Sequence, residues 1–362
     1  MASSLTILGV ETSCDDTAAA VVRLTDGRAE VLSSVVRGQA EAHAPFGGVA
    51  PEVAARAHVE VIDAVARQAM AQAGIGFEDL SGVAATAGPG LIGGVMVGLA
   101  FGKAVALARD LPLVAVNHLE GHAVSARLES DVRYPFLLLL VSGGHCQLLE
   151  VAGVGACTRL GSTIDDAAGE AFDKIARALG LPYPGGPPLE KLAGDGDASA
   201  FDLPRSLLGR DDCDFSFSGL KTAAARLAAT LETDKQRADL AAAVQAAIAR
   251  QLAERTDRAM AAYAHRHEGR DLCFVVAGGV AANKAIRAAL QGVAEKRGFS
   301  FAAPSLAYCT DNAAMIALAG AERLAMGVSD PLDVSARPRW PLDAAAAAAA
   351  PMHKAGRKGA KA

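Results

Sequence analysis

The apolar residues of this chain fall into short runs that end in small polar turns. Two pairs of runs share a strand–turn–strand pattern: residues 5–10 with 18–24, and residues 136–141 with 146–151. Short apolar runs bounded by Gly, Ser, Asp and Asn are typical of buried strands. The pattern therefore predicts one hairpin near the N-terminus and a second hairpin in the middle of the chain.

A strand–helix–strand unit lies further along the chain after each hairpin. Residues 83–86 lead through a glycine turn to a helix of about 18 residues and a strand at 113–116. Residues 272–276 lead through a second glycine turn to another helix and a strand at 299–302. Crossover connections of this length join parallel strands, so each unit predicts a parallel pair.

The repeated order of hairpin and crossover predicts an α/β protein of two similar lobes, each with a mixed sheet flanked by helices. We place the first lobe at residues 1–117 and about 311–342, and the second lobe at residues 118–310. Residues 343–362 contain an alanine run at 344–350 and end in nine residues that include four basic and no acidic side chains. That composition cannot bury a core, so we expect a disordered tail.

The helix of the first crossover carries glycine at every fourth position, at Gly90, Gly94, Gly98 and Gly102. Glycines on one face let another element approach a helix closely. That element is either part of the same lobe or a helix of a partner chain. Residues 80–102 lack charge and are long enough to span a membrane, but a proline and seven glycines within them argue against a span.

Composition narrows the class of protein. The 362 residues are 51% hydrophobic and 21% charged, which is enough for two domains with sizeable cores. The net charge of −5 argues against a large nucleic-acid footprint on the body of the protein. Six cysteines without a CxxC pair, and an N-terminus without a signal-peptide pattern, predict reduced thiols and a cytoplasmic protein.

Glycine-rich turns are the first candidate for chemistry, because they expose consecutive backbone N–H groups that can hold phosphate oxygens. One polar turn in each hairpin, with the glycine turn at 278–279, is the arrangement of the actin-like ATPase fold, in which a nucleotide lies between two lobes. The glycines at 185–186 and 278–279 are candidates to contact an adenosine, and Asp173 and Glu190 to bind ribose hydroxyls. The first glycine pair lies in residues 182–188, a proline-rich stretch expected to be an irregular loop.

A metal site is predicted just after the strand at 113–116. His118 and His122 are four residues apart, which puts both imidazoles on one face of a helix. Asp311, before a later helix, is the third ligand we expect, although a helix N-cap is the ordinary role of such an Asp. Two imidazoles and one carboxylate leave coordination positions open for a ligand. His145 is the rival ligand, but its place beside a phosphate-type turn favours hydrogen bonding.

Ten motifs carry a resemblance to a known family, and in chain order they are VETSCDDT, GGVAPEVAARAH, GPGLIGGVMVGLAFGKA, NHLEGH, LVSGGH, IDDAAGEAFDK, YPGGP, FSFSGLKT, AGGVAANK and CTDNAAMIA. In these motifs, which cover about residues 5–342, the chain resembles the TsaD family, also called Kae1 or Gcp. That family provides the threonylcarbamoyladenosine synthase subunit that modifies tRNA. The resemblance implies an actin-like ATPase (ASKHA) fold and an acyltransferase activity.

The implied reaction transfers a threonylcarbamoyl group from threonylcarbamoyl-adenylate to the exocyclic amine of adenosine 37, in tRNAs that read codons beginning with adenine, and releases AMP. By matching motif, the metal ligands are His118, His122 and Asp311. The adenylate-binding set is Val141, Ser142, Gly143, Gly144, His145, Asp173, Gly186, Glu190 and Asn283. The family varies between Asp, Glu and Ser at the position of Glu190, and the sequence names no general base.

The resemblance also implies a metal and partners. We expect one divalent metal per chain, iron(II) first and zinc as the alternative, because both accept this ligand set. The expected partners are tRNA, a TsaB-like paralogue of the first lobe and a TsaE-like ATPase, without a membrane. Two other functions remain as alternatives. An actin-fold small-molecule kinase or ATPase needs no histidine pair, and a metalloendopeptidase needs a glutamate directly after His118, whereas this chain has Leu119 there and Glu120 next.

Overall fold

The strands of the computed structural model form two five-stranded sheets within the described residues, which are 4–46 and 48–349. The first sheet contains β1 (Ser4–Glu11), β2 (Asp16–Thr25), β3 (Arg28–Gly38), β4 (Gly82–Gly88) and β5 (Leu113–Asn117). The second sheet contains β6 (Phe136–Val141), β7 (Cys146–Gly153), β8 (Ala156–Ser162), β9 (Cys273–Ala277) and β10 (Ser300–Ala302).

The two sheets have the same topology. The strand orders are β3-β2-β1-β4-β5 and, read in the same sense, β8-β7-β6-β9-β10. In each sheet the first three strands of the chain pair antiparallel and the last two add in parallel. The prediction of two similar lobes with mixed sheets is confirmed. The edge strands β3 and β8 were not predicted, because their alternating exposed positions break the apolar run that marked the other strands.

Helices cover both faces of each sheet. They are α1 (Ala40–His43), α2 (Pro51–Ala73), α3 (Ile92–Arg109), α4 (His118–Val124), α5 (Ala168–Ala178), α6 (Gly186–Ala193), α7 (Ser218–Ala228), α8 (Asp234–Arg266), α9 (Lys284–Arg297), α10 (Leu306–Cys309), α11 (Ala313–Ala325) and α12 (Ala344–Ala349). In β1, Ile7 packs with α11 and its neighbour Leu8 packs with α2 and α3, as the alternation of side chains along a strand requires. Helix α11 therefore returns the chain to the first sheet, while the exact boundary between the lobes stays a prediction.

The short helix α4 lies between the two sheets. Its Leu119 belongs to the apolar cluster under the second sheet, with Leu138 and Leu140. Its Val124 belongs to the cluster between the first sheet and α11, with Ile316. Both clusters exclude water from this helix, and all of its residues are buried. A side chain on α4 is thus held from both lobes at once.

The glycine face of α3 packs inside its own lobe. A Cβ at Gly94 would overlap the backbone oxygen of Thr12, and a Cβ at Gly98 would overlap the Thr12 hydroxyl. The Thr12 hydroxyl donates to the Gly94 carbonyl oxygen at 2.8 Å, so the close approach is used for a hydrogen bond. The interpretation of these glycines as a partner interface is therefore wrong. Among the described residues α3 is also the one helix long and apolar enough to cross a membrane.

The prediction of an irregular loop at residues 182–188 is wrong for residues 186–188. Helix α6 begins at Gly186 and places Pro187 and Pro188 in its first turn. Proline is tolerated there because the first N–H groups of a helix have no partner within the helix. The prolines therefore start this helix instead of preventing it.

The C-terminal segment runs back across the first lobe to the second. The Asp330 carboxylate accepts from the Ala115 N–H, and the Arg337 N–H donates to the Ala87 carbonyl oxygen. Further on, Asp343 accepts from the backbone N–H of Arg159 on β8. Residues 344–349, expected to belong to a disordered tail, form the helix α12. The rest of that predicted tail, residues 350–362, lies outside the described residues.

Candidate metal centre and nucleotide cleft

The two predicted histidine ligands sit on α4 directly after β5. Asn117 ends the strand and caps the helix, because its side-chain oxygen accepts from the Leu119 N–H at 2.9 Å. The spacing of four residues then brings the two rings together, with centroids 4.7 Å apart. The amide group of Asn117 also donates to the Trp340 carbonyl oxygen, so the C-terminal segment fixes the start of the helix.

Asp311 meets both histidines from the other side. Its Oδ1 lies 3.0 Å from the Nε2 of His122 and 3.5 Å from the Nε2 of His118. The N-cap role considered for Asp311 belongs instead to Asn312, whose side chain accepts from the Met315 N–H. The Asp311 carboxylate is therefore free to face the histidines.

These three side chains fit a metal ion. One donor atom from each of His118, His122 and Asp311 lies within 4.8 Å of the others. Two imidazole nitrogens and a carboxylate oxygen are the donors that Zn²⁺ and Fe²⁺ accept, and a three-residue set leaves positions open. His145, the rival ligand, is outside this group. Its expected hydrogen-bonding role stays a prediction.

The electrostatics of the group follow from burial and opposite charge. Burial alone would raise the pKa of Asp311, but the charges of His118 and His122 outweigh burial and lower it. Burial alone would lower the pKa of His118, but Glu11 and Asp311 raise it to about 9. Without a metal, the proton on His118 holds Glu11 and Asp311 together. Metal binding must displace this proton, so it is linked to pH.

Glu11 is a site residue that the sequence analysis did not single out. It ends β1 and is fully buried, and its Oε2 lies 2.8 Å from the Nδ1 of His118. Its position after an apolar strand, in the first polar turn, was the available signal. Glu120, the residue that a peptidase would need as a base, is buried, and its Oε2 lies 3.5 Å from the Nη1 of the partly buried Arg323. That arrangement does not favour the metalloendopeptidase alternative.

The two glycine turns of the second lobe lie near the metal centre, because a Cβ at Gly279 would lie 3.9 Å from the side chain of Thr310, the residue before Asp311. We call these turns the nucleotide wall of the predicted cleft, and the metal ligands its metal wall. In the β6–β7 turn the Ser142 N–H donates to the His145 carbonyl oxygen, and the Gly143 and Gly144 Cα positions face open space. A Cβ at Gly278 would meet the Val141 carbonyl oxygen, so the two glycine turns lie side by side. The structure thus brings the turn at 141–145 next to the glycine turn at 278–279, as the nucleotide prediction requires.

Three of the remaining predicted residues accept hydrogen bonds from backbone N–H groups at the starts of α6 and α9. Asp173 accepts from the Gly185 N–H at 2.7 Å, and Glu190 accepts from the Lys284 N–H at 2.7 Å. Asn283 caps α9 through the Ile286 N–H and donates to Gln245. Gly186 has open space around its Cα. These contacts give each side chain a structural role, and their contact with a nucleotide stays a prediction.

Together these features define the class of protein: two lobes of the actin-like ATPase fold, with a His-His-Asp centre facing a glycine-lined cleft. HypF from T. kodakarensis has a similar structure, with a TM-score of 0.59 and 17% identity over 89% of this chain and 48% of HypF. The sequence model of the TsaD family, described as tRNA N6-adenosine threonylcarbamoyltransferase, matches residues 30–318. The chain belongs to the TsaD family.

Two curated relatives agree over the whole chain. A tRNA N6-adenosine threonylcarbamoyltransferase of Caulobacter vibrioides is 75% identical over 99% of this chain and 98% of its own length. A protein of the same name from Maricaulis maris is 58% identical over 100% of this chain and 97% of its own length. The family resemblance proposed from the ten motifs is confirmed.

Proposed function

We propose that this protein transfers the threonylcarbamoyl group from threonylcarbamoyl-adenylate to the N6 amine of adenosine 37 in tRNAs that read codons beginning with adenine. One observation carries the proposal above the others. A chain that matches threonylcarbamoyltransferases over its full length also brings His118, His122 and Asp311 within 4.8 Å at the cleft. A small-molecule kinase or ATPase of the same fold has no need of that cluster.

We place the adenylate along the nucleotide wall. Its phosphate would face the N–H groups of Gly143 and Gly144, because the N–H groups of Ser142 and His145 are bonded within the turn. Gly186 and Gly279 leave room for the adenosine. Asp173, Glu190 and Asn283 hold the starts of α6 and α9 against that pocket. Their main contribution is to keep the pocket in shape before the donor arrives, which lowers the cost of binding.

The reaction needs positioning more than activation, because the mixed anhydride is already reactive. The N6 lone pair of the adenosine attacks the carbamoyl carbon, the bond from that carbon to the phosphate oxygen breaks, and AMP leaves with the electron pair. The N6 proton is lost to a base that the structure does not identify. The two histidines and Asp311 would hold a metal that polarises oxygens of the donor as a Lewis acid. Backbone N–H groups stabilise charge on the leaving phosphate.

We propose one divalent metal per chain, with iron(II) first and zinc as the alternative. The donor set of two imidazoles and one carboxylate supports both ions. Metal analysis of protein purified without oxygen distinguishes them. A chain that holds neither ion would contradict the proposed centre.

We propose that tRNA binding requires partners, a TsaB-like paralogue and a TsaE-like ATPase, in the cytoplasm. The net charge of −5 leaves little basic surface for tRNA phosphates on this chain alone. Because the glycine face of α3 is used internally, we place the paralogue on the outer face of α2 and α3. That face exposes four apolar side chains: Val59, Ile92, Met96 and Leu107.

The test is reconstitution with purified components. The chain is combined with the two partners, tRNA, threonylcarbamoyl-adenylate and Fe²⁺ or Zn²⁺, and the tRNA nucleosides are analysed by mass spectrometry. We expect threonylcarbamoyladenosine and one AMP per modified adenosine, and much less product without partners. Phosphorylation of a small molecule without any tRNA product would favour the kinase alternative instead.

A further inference from the structure

The two histidine ligands have unequal surroundings behind the metal-facing nitrogen. The Nδ1 of His118 lies 2.8 Å from the Oε2 of Glu11 and 3.1 Å from the Ser13 hydroxyl. The Nδ1 of His122 is buried and has no hydrogen-bond partner among the described residues. The ring of His118 is therefore fixed from behind by hydrogen bonds, whereas no described residue bonds to the Nδ1 of His122.

Two hydrogen bonds, besides the contact with His118, hold the Glu11 carboxylate in place. It is fully buried at the end of β1. Its Oε1 accepts from the Ser13 N–H, and its Oε2 accepts from the Thr86 hydroxyl at 2.6 Å. These contacts fix the carboxylate with its Oε2 2.8 Å from the Nδ1 of His118.

A carboxylate in this position has a known chemical effect on a metal ligand. A histidine that donates its Nδ1–H to a carboxylate must present an unprotonated Nε2 to the metal, with a fixed ring plane and greater basicity. In this structure the Nε2 of His118 does point at Asp311, 3.5 Å from its Oδ1. The contact with Glu11 and the direction of Nε2 are therefore parts of one arrangement.

We propose that Glu11 is the positioning residue of the metal centre, which holds His118 in the tautomer and orientation that bind the ion and makes it the stronger of the two histidine ligands. The inference rests on the metal centre of the proposed function and is independent of the transfer reaction. Glu11 is fully buried and contacts His118, so it acts through that ligand.

The test replaces Glu11 by glutamine and measures the affinity for Zn²⁺ by competition with a chelator. In Glu11→Gln, either the amide N–H₂ faces His118 Nδ1 and favours the wrong tautomer, or it faces the Ser13 N–H and loses that contact. Loss of such a supporting carboxylate is expected to weaken zinc binding by about 10–100-fold. The same measurement needs no tRNA, donor or partner protein.

Thr86→Val is the matched control, because it removes a buried hydrogen bond to Glu11 but leaves the contact from Glu11 to His118. We expect it to lower the melting temperature equally with and without zinc and to keep zinc affinity near that of the unmodified chain. In Glu11→Gln the rise in melting temperature caused by zinc should shrink, since that rise reports affinity for the folded state.

Three outcomes distinguish a positioning role of Glu11 from a purely structural role and from the absence of a metal centre. If Glu11→Gln is destabilised equally with and without zinc and its zinc affinity is unchanged, Glu11 is only a structural residue and the inference is overturned. If Glu11→Gln does not fold, Glu11→Asp takes its place, because it keeps the charge but is too short to reach His118; unchanged zinc affinity there overturns the inference too. If the unmodified chain binds no metal, the metal centre itself is wrong.

Discussion

The two walls of the cleft are built by different means. On the metal wall, Glu11, His118, His122 and Asp311 come from three separate parts of the chain and meet through side-chain contacts of 2.8–3.5 Å. On the nucleotide wall, side chains such as Asn283 bond to backbone N–H groups, and the turns expose backbone at Gly143, Gly144 and Gly279. One wall presents side chains to a ligand, and the other presents backbone.

This difference has a consequence for substitution. A side chain that is itself a ligand cannot be replaced without loss of the chemistry. A side chain that holds a backbone turn can be replaced at the cost of stability and binding, because the turn still exists in its absence. Substitutions on the two walls should therefore separate into losses of activity and losses of stability.

The largest effect is expected on the metal wall. His118→Ala and Asp311→Ala should lose the metal and reduce transfer by about 10²–10³-fold, because a bound metal supplies several kcal/mol of charge stabilisation. Metal content and initial transfer rates are measured together. Glu190→Ser on the nucleotide wall is the control and should keep its metal. Full metal content in both alanine variants would rule out the site.

The second-largest effect is expected where α3 packs against Thr12, close to Glu11. Gly94→Leu and Gly98→Leu push a side chain into Thr12, in the turn that follows Glu11, and overpacking of this kind costs roughly 1–3 kcal/mol per site. Thermal unfolding measures the loss. Met96→Leu, on the exposed face of the same helix, should change stability by less than about 0.5 kcal/mol. If the double variant melts like the unmodified chain, α3 does not pack as described.

A smaller effect is expected on the nucleotide wall. Asn283→Ala removes the cap of α9 and the bond to Gln245, which should lower the free energy of unfolding by about 1–2 kcal/mol. Metal content should stay the same while adenylate binding weakens. Asn283→Asp keeps the acceptor for the Ile286 N–H and should lose less. Denaturant unfolding measures the loss of stability, and zinc analysis measures the metal content. A loss of metal in Asn283→Ala would show that the metal centre depends on the nucleotide wall.

The smallest effect is expected at the C-terminal end of the described residues, away from both walls. Truncation after Asp343 keeps the contact from Asp343 to the Arg159 N–H and removes the hydrogen bond from the Arg159 side chain to Ala346. The free energy of unfolding should fall by no more than about 1 kcal/mol, with metal retained. Aggregation of the truncated chain or loss of its metal would show that the end of the chain supports the site.

The sequence predicted most strands of both sheets but missed one edge strand in each. Continuous apolar runs gave the inner strands, and the glycine turns gave the crossovers, because both signals are local. The edge strands β3 and β8 were missed since half-exposed strands lack such a run. The glycine face of α3 was recognised as a close contact, but whether Thr12 or another chain fills it is not a local property.

For the site, the sequence alone determined which residue types were available: a histidine pair at helical spacing, an aspartate before a late helix, and glycine turns after strands. Only the tertiary structure decided that α4 lies between the two sheets, that Asp311 and not Asn312 faces the histidines, and that Glu11 supports one of them. The reason is distance along the chain. Helical spacing acts over four residues, whereas Glu11 and Asp311 reach α4 only when both sheets have formed and packed against it.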